Sequence, residues 1–137
     1  MFTTKAGAER LGGRACGLDP WQAATLDRPD GTLVNVTALP ALHGPPGCEP
    51  VMGPVIGFLL EGEGVGTVYV SGDNASLDVV REIAAAACRV DVAISLHFEG
   101  WAHFTQGAEQ LRAAFAGNGV TDRAVPARAR RDAMGLS

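Results

Sequence analysis

The sequence predicts a mixed domain of the α/β (α+β) class, on three observations. Hydrophobic residues are 47% of the 137 and charged residues 19%, a balance that supplies a core and excludes wholesale disorder. Two segments alternate with period two, LVNVTA at 33–38 and TVYVS at 67–71, and read as strands. Between TVYVS and the apolar run at 90–96, residues Leu77, Val80, Ile83, Ala84 and Ala87 recur at helical spacing. Strands interleaved with helices define the class.

In chain order, residues 4–11 read as a short helix stopped by Gly12-Gly13. Pro29-Asp30-Gly31 is a turn, because Pro presets φ and Gly accepts the strained position before the 33–38 strand. Residues 40–54, rich in Gly and Pro and containing HGPPG, read as a loop. The run at 55–60 is a strand, 62–66 is a hairpin turn, and 67–71 is the next strand. Ser76 is placed to cap a helix running to about Cys88. Residues 90–96 form a buried type of strand. Thr105 caps a last helix that stops at Gly117-Asn118-Gly119. No repeat or low-complexity block appears. The expected organisation is one domain over 1–122, because halves of roughly 70 residues would each need staples, followed by an irregular Arg-rich tail over 123–137.

Charge narrows the partners. The formal net charge is −4, and without residues 123–137 the chain carries 7 basic and 14 acidic groups. An acidic domain with few aromatics is a poor nucleic-acid binder. No apolar run approaches the length of a membrane span, and the start lacks a signal-peptide core. Cys16, Cys48 and Cys88 are odd in number and widely scattered, which argues against a disulfide framework and fits the reducing cytoplasm. Gly62-Glu63-Gly64-Val65-Gly66 lacks the Gly-Lys-Ser/Thr of a phosphate loop and precedes a strand. Ser71-Gly72-Asp73 is no nucleophile elbow.

What remains are three strand ends. His43 lies just beyond the 33–38 strand, Asp73 directly follows TVYVS, and His97 ends VDVAISL. Sites in open α/β sheets collect outside the carboxyl ends of strands. Imidazole and carboxylate are the ordinary ligands of a hydrolytic zinc ion, and three of them leave a fourth position for water. The bland alternatives are a surface histidine at His43, a turn or helix cap at Asp73, and a packed histidine at His103 beside Trp101 and Phe104.

The order of LVNVTALPALHGPPG, VIGFLLEGEGVGTVYVSGDN, a helix, VDVAI and HFEGWAHFTQGAEQL resembles the metallo-β-lactamase-fold hydrolases, nearest their lactonase and phosphodiesterase-like branch. The resemblance covers most of residues 3 to 123. It implies part of an αββα sandwich, mostly its C-terminal half, around a one- or two-metal centre of zinc, or of manganese or iron. His43 then matches the histidine of the first metal, Asp73 the bridging aspartate, and His97 the late histidine of the second metal. Asn74 stands where relatives have Thr. Glu99, Trp101 and His103 match the substrate side of the pocket.

The chain also departs from that pattern. No His-x-His-x-Asp-His precedes His43, so the sequence reads as beginning just after it. A helix and strand are missing near Ile94-Ser95-Leu96. After Arg123 the chain runs AVPARARR where relatives enter an apolar strand. Two readings follow. One is a hydrolase of small-molecule esters, lactones or phosphodiesters, acting through metal-bound hydroxide that Asp73 orients. The other is an inactive remnant of that fold. With three of the family's ligands left, one loosely held ion and slow turnover are expected. A sheet surface left uncovered is expected to draw a second copy.

Overall fold

A parallel pair begins the chain. Strand β1 (Phe2–Thr4) leads into helix α1 (Lys5–Leu11), which returns to strand β2 (Cys16–Leu18) beside β1. The computed structural model describes residues 1–86, 90–96, 113 and 124–126. Thr4 caps α1 by accepting the Gly7 N–H at 3.0 Å, and Gly12 ends it with φ +62. An exposed Lys5–Asp19 ion pair ties the start of α1 to the end of β2.

The main sheet has six strands whose spatial order is their chain order: β3 (Ala23–Asp27), β4 (Leu33–Ala41), β5 (Val55–Gly62), β6 (Val68–Val70), β7 (Val92–Ser95) and β8 (Ala124–Pro126). The first four pair antiparallel, and the last two joints are parallel. A short helix, α2 (Glu49–Met52), lies between β4 and β5, and helix α3 (Leu77–Ala86) crosses from β6 to β7. Ser76 caps α3, its Oγ accepting the Val79 N–H at 3.3 Å. This is an α+β architecture.

The register builds the core. Leu59, Tyr69 and Ala93 stand side by side across β5, β6 and β7, and Leu39 and Ile83 join them under α3. Leu39 is fully buried, and burying such a side chain contributes about 1.5–3 kcal/mol. The opposite face carries Val36 and Ala38, both buried, beside the half-buried Phe58, Leu60, Val68, Val70, Val92 and Ile94.

Several boundaries differ from those read in the sequence. β4 continues through Pro40 to Ala41, where a loop is expected. The Ala38 N–H donates to the Gln22 carbonyl and the Arg28 N–H to the Thr32 carbonyl, so even-numbered β4 residues bond towards β3. Pro40 therefore turns its missing N–H to the side where β3 has already ended, and no ladder bond is lost. Strands β1, β2 and β3 carry no sequence alternation long enough to read. Ala124–Pro126, within the expected irregular tail, pairs parallel with β7. The helix expected after Thr105 lies outside the described residues.

One backbone outlier precedes β3. The Gln22 N–H donates to the Asp19 carbonyl at 3.0 Å, closing a turn with Pro20 second and Trp21 third. Trp21 has φ +68, the glycine position of a type II turn. A residue with a Cβ pays about 1–2 kcal/mol there.

Candidate functional site

β4, β6 and β7 run in the same direction, so their carboxyl ends share one edge of the sheet. His43 follows β4 by two residues and Asp73 follows β6 by three, and both are half-buried. The two loops are bonded directly to each other. The Leu42 N–H donates to Asn74 Oδ1 at 3.0 Å, and the Ala75 N–H donates to the Leu42 carbonyl at 2.7 Å. The residue before His43 is thus tied on both sides to the segment just after Asp73. Asn74 is held in turn by its own loop: Oδ1 also accepts the Ser76 N–H at 3.2 Å, and Nδ2 donates to the Ser76 carbonyl at 2.9 Å.

Ser71 makes the second tie. Its N–H donates to the Ile94 carbonyl at 2.9 Å, and its Oγ accepts the Leu96 N–H at 2.9 Å. Ser71 is buried, and the β7 end, one residue short of His97, is therefore fixed to the end of β6. Between Ser71 and Asp73 the chain turns at Gly72, with φ +59 and its Cα close over β5. A Cβ there would lie 2.5 Å from the Ile56 carbonyl oxygen, so only glycine fits.

Beneath this edge lies Tyr69. Its hydroxyl is buried and, among the described residues, has no partner at hydrogen-bond geometry. Burial pushes its phenol up to about 12, and the nearby Asn74 side chain opposes that shift only in part.

The structure thus brings together the loops of His43 and Asp73. His97, Glu99, Trp101 and His103 lie outside the described residues. The donor chemistry fits a divalent ion as far as it is described, since imidazole and carboxylate are its ordinary ligands. Among the described residues, no three His, Cys, Asp or Glu side chains gather at one point. Ser71 and Asn74 are the site residues that sequence reasoning underrated. The signal was a run of short polar side chains in Ser71-Gly72-Asp73-Asn74, which bind backbone N–H groups in turns. Cys16 and Cys48 are free thiols, and among the described residues no helix is long and apolar enough to cross a membrane.

No protein-family profile matches the chain, and no curated protein does. Solved structures share its fold. The isothiocyanate hydrolase from Delia radicum gut bacteria is 12% identical with a TM-score of 0.54, over 93% of this chain and 63% of that one. A possible metal-dependent hydrolase from Veillonella parvula is 13% identical with a TM-score of 0.55, over 93% of this chain and 63% of that one. A protein of like description from Parabacteroides distasonis is 18% identical with a TM-score of 0.56, over 83% of this chain and 47% of that one. The chain therefore spans 63% of the length of the first two and 47% of the third.

Proposed function

We propose that the chain carries the centre of a metal-dependent hydrolase of the metallo-β-lactamase-fold type, acting on a small-molecule ester, lactone or phosphodiester. The observation that carries this reading is the double tie between Leu42 and the Asn74–Ala75 segment, which holds the His43 and Asp73 loops at one sheet edge. The fold likeness to proteins named as hydrolases, two of them as metal-dependent, supports it. His43, Asp73 and His97 would hold a divalent ion, zinc foremost, with manganese or iron as alternatives. Bound there, it supplies Lewis-acid polarisation of the scissile group. Asp73 orients the attacking water by accepting its hydrogen bond. Glu99, Trp101 and His103 would line the substrate side.

The rival reading, an inactive remnant, is favoured by the absence of a His-x-His-x-Asp-His motif from the sequence. Zinc titration of the purified chain against a chromogenic chelator, with elemental analysis, separates the two. The hydrolase reading expects saturation at one ion per chain. It also expects a large loss of affinity in His43→Ala and in Asp73→Asn, and slow lactone or phosphodiester hydrolysis that a chelator abolishes. Zinc uptake that is the same in wild type and His43→Ala would establish the remnant.

A further inference from the structure

The loop that carries His43 also carries an exposed apolar surface. It runs from Leu42 to Pro54 between β4 and β5, at the same sheet edge as Asp73. Its bonds close within it. The Cys48 N–H donates to the Pro45 carbonyl at 3.1 Å, the Val51 and Met52 N–H groups to the Cys48 carbonyl at 2.9 Å, and the Gly53 N–H to the Glu49 carbonyl at 2.9 Å. Cys48, which opens α2, is thereby folded back on the residue after His43: a Cβ on Gly44 would lie 3.5 Å from the Cys48 Cβ. The residues of α2 add about 6 Å of helix. Val51 and Met52 therefore stand within a small molecule's length of His43. Val51 is 86% exposed, the highest value of any large apolar side chain among the described residues, and Met52 is 40% exposed. Single exposed apolar residues are ordinary. Here Pro45, Pro46, Pro50 and Pro54 are exposed around them, and Glu49 is the loop's only formal charge. Contiguous apolar surface beside a site marks ligand contact. The prolines fix φ, so little ordering is lost on binding, and methionine adapts its shape to what it covers.

Charge decides what that surface takes. Between Arg28 and Arg81 the sequence has no lysine or arginine. That stretch builds β4, β5 and β6 with the His43 and Asp73 loops. Arg28 is paired with Asp30, and Arg81 with Asp78. A phosphodiester is an anion, and sites for it supply arginine or lysine. The two loops offer it Glu49 and Asp73 instead. An uncharged ester or lactone meets no such opposition. We infer that the α2 loop takes the apolar chain of an uncharged ester or lactone, and that phosphodiesters are poor substrates. The inference rests on the hydrolase reading for the place of the reacting carbonyl, at His43 and Asp73.

Two measurements on the full chain test this. The first compares turnover of 4-nitrophenyl octanoate, 4-nitrophenyl acetate and bis(4-nitrophenyl) phosphate by the zinc-loaded chain. A fully buried methylene is worth about fourfold, and an open surface covers only part of a chain, so kcat/KM is expected to be roughly tenfold higher for the octanoate than for the acetate. Val51→Asn is expected to bring that ratio towards one, and Val51→Leu to retain it. Val51→Lys is expected to raise phosphodiester turnover relative to acetate turnover. Should Val51→Asn fail to fold, Met52→Gln is read in its place. The second measurement needs no turnover. The metal-free chain is labelled at its methionine methyls, and Met52→Leu assigns the Met52 signal among the three. γ-Decalactone is expected to shift that signal saturably, whereas γ-butyrolactone and bis(4-nitrophenyl) phosphate leave it in place. Equal kcat/KM on the two esters, or a preference that survives both Val51→Asn and Met52→Gln, overturns the inference. So does a Met52 signal that γ-decalactone does not move, or one that moves with protein concentration alone, as a second copy seated there would cause. If turnover is absent and γ-decalactone still shifts Met52, the hydrolase reading fails while the apolar-chain site on α2 is upheld.

Discussion

The two ends of the main sheet are built differently. At the end holding the β3–β4 and β5–β6 connections, the turns close on themselves. The Gly31 N–H reaches the Arg28 carbonyl, Asp30 accepts from Thr32, and the Val65 N–H reaches the Gly62 carbonyl. Among the described residues, the long-range bonds there gather on one residue, Thr67, whose N–H donates to Asp91 Oδ2 and whose carbonyl accepts the Asp91 and Val92 N–H groups. At the opposite end the loops are held by partners far apart in the chain, Leu42 with Asn74 and Ser71 with Leu96. A change in a self-closed turn is felt where it is made, whereas a change at Asn74 or Ser71 moves two loops at once. His43 and Asp73 sit at the end where single side chains set the geometry of several segments.

The largest expected effect sets the two ends directly against each other. Gly72→Ala places a Cβ 2.5 Å from the Ile56 carbonyl oxygen at φ +59. The strained backbone costs about 1–2 kcal/mol and the overlap about 1–3 kcal/mol more. Gly31→Ala, at φ +83 with open space around it, carries only the first cost. Chemical denaturation should therefore show Gly72→Ala losing clearly more stability than Gly31→Ala. Equal losses would break the contrast between the ends.

Asn74→Ala comes next. It leaves the Leu42 and Ser76 N–H groups without their acceptor in a part-buried place, at a cost of about 2 kcal/mol. Zinc affinity should fall with it, by roughly the 10–100-fold typical when a ligand's supporting partner is lost. Stability lost with affinity unchanged would separate the tie from the site.

The smallest effect has the opposite sign. Tyr69→Phe removes a buried hydroxyl that, among the described residues, has no partner at hydrogen-bond geometry, so it should be neutral or stabilising by up to about 1 kcal/mol. It also changes the alkaline limb. The folded phenol is raised from 10.0 to about 12, so the stability it contributes is complete below pH 10 and is lost as pH rises towards 12. Melts across that window should show a loss in the wild type that Tyr69→Phe lacks. Because the chain has one tyrosine, absorbance of the phenolate reports the same group directly.

Much of the sheet was legible because its central strands are covered on at least one face, and burial writes alternation into sequence. LVNVTA, VIGFLL and TVYVS announce β4, β5 and β6, and Ser76 announces α3. The edge strand β3 was not legible, since AATLD has exposed side chains on both faces and no pattern to read. Pro40 reads as a strand end because proline usually is one. That it costs nothing here depends on where β3 stops, a fact about a neighbouring strand. The strand ends carrying His43 and Asp73 could be named from sequence. The bonds that bring their loops together could not, because Leu42 contributes only its backbone and Asn74 looks like an ordinary turn residue.

Strand order that follows chain order has a consequence for synthesis. Each strand from β4 to β6 can pair with the one made just before it, and none must wait for a later segment to slide between two earlier ones. Sheets with such local joins fold faster than those that close long loops first. The Leu42 knot can be tied once Asn74 and Ala75 have left the ribosome, whereas the Ser71 hydroxyl waits for Leu96. At about 5–20 residues per second that is a delay of roughly one to four seconds. During it, the His43 and Asp73 loops already stand in place before the residue following Leu96 has been made.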